Sequence, residues 1–495
     1  MDFEDLRGFI KKAEAIGELR RIDGADWNLE IGAINQVMAT RRGPALLFDQ
    51  VKDYPKGFRT FSNGFTSFNR TGLILRIPSE NGGIQMLQEW RRKRKTFKPV
   101  GVNVVKNGPI FENRLEDGAV DMYKFPTPKW NEHDGGRYIG TGCMVITRDP
   151  ETGWVNLGTY RVMIHDKNRV GIMMNRGKHG AIMMDKYHAK GESCPVAISF
   201  GHDPTIFFAS TYDIPSGTSE YEFAGWLRGA PVEVVEGPLT GLPIPANSEI
   251  VVEGEIPPLE ETEKWNLKEG PFGEWPGYYT PATTGEMPVV IVKSVHFRNN
   301  PIILGAPHVK PPAPTIFALP LSAVSVWEEL DSAGIPDVKG VWRLGSWGGG
   351  HGGSFLVIAI KQRYPGHAKQ AALSAVSCRS GAYGGKVIIV VDDDIDITDP
   401  GEVLWAVGTR FDVDHLDTVK DVWTSPVDPA LSPELRATRC YTSSRMIIDA
   451  CKPYRWMKDF PIVNAANPEL RRNVIRKWRL NEPGGEEPVR RKKAG

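Results

Sequence analysis

Met144-Val145-Ile146-Thr147 opens a series of short β-branched runs separated by turn signals. Val196-Ala197-Ile198-Ser199-Phe200, Val232-Glu233-Val234-Val235, Glu249-Ile250-Val251-Val252 and Val289-Val290-Ile291-Val292 continue it. Such residues fit a pleated, half-buried surface, and the runs are too short for helices. Regularly spaced short strands predict a barrel or sandwich over about residues 120–305.

On the N-terminal side, Leu6, Phe9, Ile10, Ala13 and Ile16 recur at helical spacing, and Gly17 stops the helix. Gly43-Pro44-Ala45-Leu46-Leu47-Phe48 reads as a buried strand. A second helix, Ile84 to Lys95, ends in Arg91-Arg92-Lys93-Arg94-Lys95, which reads as a solvated face. On the C-terminal side the order is a helix at Ala323 to Ala333, a strand, the tract Gly348-Gly349-Gly350-His351-Gly352-Gly353, a helix at about Ala368 to Ser377 and the strand Lys386 to Val391. That alternation predicts a small α/β domain. The glycine tract matches neither nucleotide-binding pattern and reads as a mobile loop. Asp392-Asp393-Asp394-Ile395-Asp396 follows a strand, so it reads as strand-end and cap chemistry. A helix at Glu469 to Leu480 precedes a charged tail, Glu486 to Gly495, expected to be disordered.

Composition narrows the function. A chain of 495 residues exceeds one ordinary domain. No run of about 18 apolar residues predicts a membrane span. The acidic start Met1-Asp2-Phe3-Glu4-Asp5 lacks a secretory pattern. A net charge of +1 gives no reason to expect nucleic acid. The five cysteines are scattered, without C-x-x-C, and are read as reduced in a cytoplasmic protein.

The segment Lys268-Glu269-Gly270-Pro271-Phe272-Gly273-Glu274-Trp275-Pro276-Gly277-Tyr278-Tyr279 carries the chemistry. Its glycines and prolines predict neither helix nor regular strand. Two carboxylates on a rigid, aromatic-flanked loop can occupy unequal environments, giving a proton donor beside a stabilising anion.

With these runs in order, the chain resembles the UbiD family, decarboxylases that use prenylated FMN. The likeness extends from Asp5-Leu6-Arg7 to Arg445-Met446-Ile447-Ile448-Asp449-Ala450. Asn156-Leu157-Gly158-Thr159-Tyr160-Arg161 is similar to the family's cofactor strand, and Arg176-Gly177-Lys178-His179 to its metal-histidine region. Ser219-Glu220-Tyr221-Glu222 matches the metal-carboxylate segment and Glu269 to Glu274 the acid pair. The resemblance implies an α/β fold with a central split β-barrel. Expected boundaries are 1–115 for an N-terminal α/β domain, 116–315 for the barrel, 316–460 for a C-terminal α/β oligomerisation domain and 461–495 for a last helix and tail.

It also implies site roles. Asn156, His179 and Glu220 would hold Mn2+ or a similar divalent ion, a mixed O/N donor set suited to it, with K+ nearby. Glu220 is preferred to Glu222 because Phe223-Ala224-Gly225 then aligns better. Thr159, Tyr160, Arg161, Lys178 and Lys386 would join these three around the flavin. Arg161, Glu269 and Glu274 would form the catalytic network, with Glu274 protonating carbon and Phe272 and Trp275 keeping it dry. The reaction implied is reversible, non-oxidative decarboxylation of an aromatic or α,β-unsaturated carboxylic acid, with CO2 as co-product. The resemblance further implies a homo-oligomer, dimer or hexamer, that depends on a flavin prenyltransferase. Lys178, His308 and Lys310 depart from the family pattern. They put cationic charge near the expected substrate mouth, which suggests a second anionic or polar group on the substrate. Two other readings are a non-catalytic UbiD-like subunit of a larger complex and a flavin-binding reductase or electron carrier.

Overall fold

The computed structural model describes residues 3–480, apart from 81, 176, 213, 215–216, 285–286, 314–315, 345–353 and 479. The glycine tract, Arg176 and the charged tail lie outside the described residues. Met1–Cys451 forms one compact unit and Lys452–Gly495 a second.

Strand order explains the shape of the central sheet. Eight strands are hydrogen-bonded in the sequence Tyr138–Gly140, Val162–Ile164, Arg169–Ile172, Val289–Phe297, Ile250–Ile256, Cys194–Ser199, Met144–Arg148 and Val155–Gly158; a ninth, Asn113–Glu116, pairs on Val289–Phe297. Tyr138–Gly140 connects to Met144–Arg148, and Val155–Gly158 to Val162–Ile164, each by three residues and each across six strand positions. Six spacings would cover about 29 Å in a flat sheet, whereas such a linker reaches only about 14 Å. The sheet must therefore curl until its edges nearly meet. The two edges are not paired, so the result is a split barrel with both linkers crossing the seam.

The linkers are stapled together. Cys143 Sγ donates to the Tyr160 carbonyl at 2.9 Å, and Thr159 Oγ1 donates to the Cys143 carbonyl at 3.1 Å. The proposed continuous strand Asn156 to Arg161 is thereby corrected: the strand ends at Gly158, and 159–161 are seam. Val232 to Val235 forms a strand as expected, Glu233–Glu236, but in a separate three-stranded sheet.

The helix Leu6–Ala15 buries Leu6, Phe9, Ile10 and Ala13, whereas Ile16 is left exposed. Asp5 caps it by accepting from the Gly8 N–H at 2.7 Å. The strand Ala45–Asp49 is buried within a four-stranded sheet whose outermost member, Ile302–Leu304, comes from far along the chain. The C-terminal sheet follows the order Val338–Leu344, Phe355–Ile360, Val387–Asp392, Thr442–Ala450, Asp417–Trp423. Phe355–Ile360, helix His367–Ser377 and Val387–Asp392 form its β-α-β unit, with the two strands parallel. Arg410 donates to Asp394 at 2.8 and 3.0 Å and to Asp392 at 3.2 Å, so this part of the acidic run is engaged structurally.

The second unit contains the helix Pro468–Trp478. Leu470, Val474 and Trp478 recur along it at four-residue spacing, and all are exposed.

The basic run is solvated only in part: Arg92 and Lys95 are exposed, whereas Arg91, Lys93 and Arg94 are engaged. In the helix Gly83–Arg94, Arg91 pairs with Asp331 and lies 4.6 Å from the Trp327 ring centroid. Arg94 pairs with Glu328 at 2.8 Å, and Lys93 donates to the Leu75 and Arg76 carbonyls. Their partners Glu328 and Asp331 lie on helix Ser322–Ser332, more than two hundred residues away, so nothing local marked the run as a docking face. Arg91→Ala should lower stability by ~1–2 kcal/mol, through lost stacking as well as lost charge. Arg92 has a side chain 70% exposed, and Arg92→Ala should change stability by less than ~0.5 kcal/mol. Urea unfolding of both variants is the check; equal losses would restore the solvated reading.

Candidate active site

The acid loop is more regular than its glycines and prolines suggest. Lys268–Glu269 pairs with Thr283–Thr284, and Phe272–Gly273 with Tyr279–Thr280, as two-residue ladders. The loop thus has a fixed register, with Glu269 and Glu274 turned toward the seam.

Arg161 meets both. Its Nε and Nη2 donate to the two Glu269 oxygens at 2.8 Å each, and its Nη1 donates to Glu274 Oε1 at 2.5 Å. Side-chain exposures are 6% for Arg161, 1% for Glu269 and 13% for Glu274. Burial alone would lower the guanidinium pKa, but hydrogen bonds and charge from Glu269, with charge from Glu274, raise it above its usual value. Tyr138 donates a further hydrogen bond to Glu269 at 2.9 Å. Burial, then the Glu269 charge, hold this phenol far above its ordinary range. The Phe272 ring lies under Arg161, 4.9 Å from centroid to Cζ. Trp275 instead places its ring 6.4 Å from that of Tyr383.

His308, noted in the sequence only for its charge, is part of this group. Its Nε2 is 3.6 Å from Glu274 Oε2, and its Nδ1 is buried without a partner among the described residues. Burial lowers its pKa against an opposing pull from Glu274, and Arg161 acts in the same direction as burial. Lys310 is exposed. Lys178 is half-buried at the N-cap of helix His179–His188.

On the other side of the seam a second group surrounds Tyr160. Asn156 lies on Val155–Gly158, 2% exposed. Glu220 opens helix Glu220–Arg228 and is 6% exposed; its Oε2 accepts the Leu157 N–H at 2.7 Å. Glu222, the competing carboxylate, is occupied in a capping box with Ser219. The Gly180 N–H donates to the Tyr160 hydroxyl at 3.4 Å, which brings the start of the His179 helix to the same ring. The His179 ring lies edge-on to Trp154 at 4.9 Å. Gly158 makes the arrangement possible, because a Cβ there would come within 2.4 Å of the Tyr160 ring. Thr159 is engaged in the seam and with Ser210 Oγ at 2.7 Å. Lys386 is held elsewhere: its Nζ donates to Asp428 Oδ1 at 2.7 Å in the C-terminal part of the chain.

The donor chemistry around Tyr160 fits a divalent ion. Burial pushes Glu220 up to about 7, only partly offset by the Leu157 N–H, so this carboxylate is short of positive charge. Among the described residues, Asn156 Nδ2 is buried without a hydrogen-bond partner; the Tyr160 hydroxyl is nearby but outside hydrogen-bond geometry. A half-turn of that amide offers its oxygen to the same space.

Residues 10–90, 102–311 and 315–450 match, in order, the N-terminal, Rift-related and C-terminal domains of 3-octaprenyl-4-hydroxybenzoate carboxy-lyase. The chain belongs to the UbiD family of carboxy-lyases. Among UbiD-family relatives, it is 32% identical to a phenolic acid decarboxylase of Sedimentibacter hydroxybenzoicus, over 91% of this chain and 92% of that one. The vanillic acid decarboxylase of the same organism, in open form, superposes with a TM-score of 0.82 at 28% identity, covering 97% of this chain and 100% of the other. An evolved dimeric form of the UbiD-class enzyme HmfF from Pelotomaculum thermopropionicum, in complex with prFMN, gives a TM-score of 0.75 at 26% identity, over 95% and 98% of the two chains. Among the described residues, no helix is long and apolar enough to cross a membrane.

Glu220 supplies a pH prediction for metal-free protein. Its folded-state pKa is raised, so its favourable contribution is present when it is protonated and is lost as pH rises through about 7. Chelator-treated protein should lose about 1 kcal/mol of stability between about pH 6 and 8 from this group. Glu220→Gln should flatten that slope, as measured by urea unfolding across pH.

Proposed function

We propose that the chain catalyses reversible, non-oxidative decarboxylation of an aromatic or α,β-unsaturated carboxylic acid with prenylated FMN. The observation that carries this reading is the asymmetric sharing of Arg161. Glu269 has both oxygens on Arg161, and one also on Tyr138. Glu274 has one oxygen on Arg161 and the other facing His308, which leaves it a position on which to carry a proton. The phenolic and vanillic acid decarboxylases among the relatives support an aromatic substrate.

Asn156, His179 and Glu220 would hold Mn2+ or a similar ion, with K+ accompanying it, and Tyr160 and Thr159 would flank the flavin. Lys178 would complete its binding set. When bound, the prenylated flavin supplies the electron sink that no side chain provides. Arg161 orients the substrate carboxylate through the Nη hydrogens that Glu269 and Glu274 leave unused. The bond from the sp2 carbon to the carboxylate breaks, CO2 leaves, and Glu274 delivers its proton to that carbon. Glu269 stays as the fixed partner of Arg161. His308, buried beside Glu274, is the residue that would meet a second polar group on the substrate.

The enzyme is proposed to be cytoplasmic, supplied by a flavin prenyltransferase, and a homo-oligomer, dimer or hexamer. The uncovered stripe Leu470, Val474 and Trp478, and exposed Trp405 and Trp423, support self-association. The alternatives of a non-catalytic subunit and of a flavin reductase are separated by one measurement, the absorption spectrum and mass of the released cofactor. Ordinary FMN with NAD(P)H turnover would favour the reductase.

Glu274→Gln should cut turnover ~10²-fold or more with cofactor content unchanged. Arg161→Ala should lose a comparable factor, and the double variant much less than the product of the two. Wild-type rates of substrate H/D exchange in Glu274→Gln would remove Glu274 from the role. His179→Ala should lower bound divalent ion and bound flavin together; full flavin occupancy in that variant would overturn the ion assignment.

A further inference from the structure

Asp134 lies outside the proposed catalytic set, yet it is 3% exposed and aimed at the acid loop. Its Oδ1 accepts the backbone N–H of Gly273, the residue before Glu274, at 3.3 Å. Its Oδ2 accepts the Asn131 N–H at 2.9 Å and Asn131 Nδ2 at 3.4 Å. Asn131 is fixed in turn by Gln36 of helix Glu30–Thr40, whose Nε2 donates to its Oδ1 at 2.6 Å. One residue on, the Gly135 N–H donates to the Pro271 carbonyl at 2.8 Å. A Cβ on Gly135 would lie 1.9 Å from the Gly270 carbonyl oxygen, so the two backbones meet directly. A polar chain therefore runs from the N-terminal helix through Asn131 and Asp134 to the backbone that carries Glu274.

We infer that Asp134 is a positioning residue for Glu274, clamping the acid loop when ionised and releasing it when protonated. This rests on the proton-donor role proposed for Glu274. The charged and titratable groups facing Asp134 are Lys129, Tyr138 and Tyr279. Lys129 favours the anion; the two phenols are neutral across the working range. Among the described residues, every hydrogen bond of the Asp134 side chain is one it accepts, so whichever oxygen takes a proton confronts an N–H pointed at it. Burial pushes the carboxyl up to about 6, against the pull of those N–H groups, which places the change of state just below neutral pH.

The test compares wild-type holoenzyme with Asp134→Asn and Asp134→Glu. Turnover would be measured from about pH 5 to about pH 8, alongside deuterium uptake by the loop around Gly273 and Glu274. Wild-type kcat should fall as pH drops through about 6 while KM and flavin content hold. Asp134→Asn should lose ~10-fold or more in kcat near pH 7.5, lack that acid limb, and exchange faster in the loop at unchanged flavin content. Asp134→Glu should keep an acid limb at reduced kcat. Wild-type kcat, acid limb and loop exchange in Asp134→Asn would overturn the clamp. A wild-type enzyme without decarboxylase activity would instead refute the Glu274 reading, and loop exchange alone would then decide the clamp.

Discussion

One guanidinium shared between two carboxylates organises this molecule. Arg161, Glu269 and Glu274 are nearly closed to water, and with both acids ionised the trio carries one surplus negative charge. A buried ion pair is weak evidence for stability, since desolvation offsets much of the attraction. Its value here is geometric. The two-pronged contact to Glu269 fixes the plane of the guanidinium, and an N–H of Nη1 then sets where Glu274 stands.

The seam puts two kinds of chemistry back to back. Successive side chains on an extended segment point to opposite sides. Tyr160 faces Asn156, Glu220 and the start of the His179 helix; Arg161 faces the acid loop. Three residues at the seam therefore separate the amide and carboxylate group around Tyr160 from the guanidinium–carboxylate group around Arg161. The staple through Cys143 and Thr159 keeps those side chains from drifting.

Much of this was legible in the sequence, for local reasons. The helix at Leu6 and the runs at Met144, Val196, Ile250 and Val289 carry their own periodicity, and each formed the expected element. Glu269 and Glu274 were marked by the unusual loop that holds them. The curl of the sheet was not readable from any one run, because it follows from which strands become neighbours. The basic run misled because its partners at Glu328 and Asp331 are remote. Asn156 to Arg161 looked continuous because strand and seam share a composition. Asp134 carried no signal at all: one of two acids in Asn131-Glu132-His133-Asp134-Gly135, it resembles part of a surface turn until Gly273 is brought against it.

The distances along the chain also set an order of events in folding. Arg161 and Glu269 are 108 residues apart, and Tyr138 and Glu269 are 131 apart. Closing loops of that size costs entropy that only the finished barrel returns. The strands on either side of the seam must already be paired before three residues can bridge them. The carboxylate network is accordingly a late product of folding. A chain with most of its secondary structure formed can still lack it, and regained helix and strand content is a poor measure of regained activity.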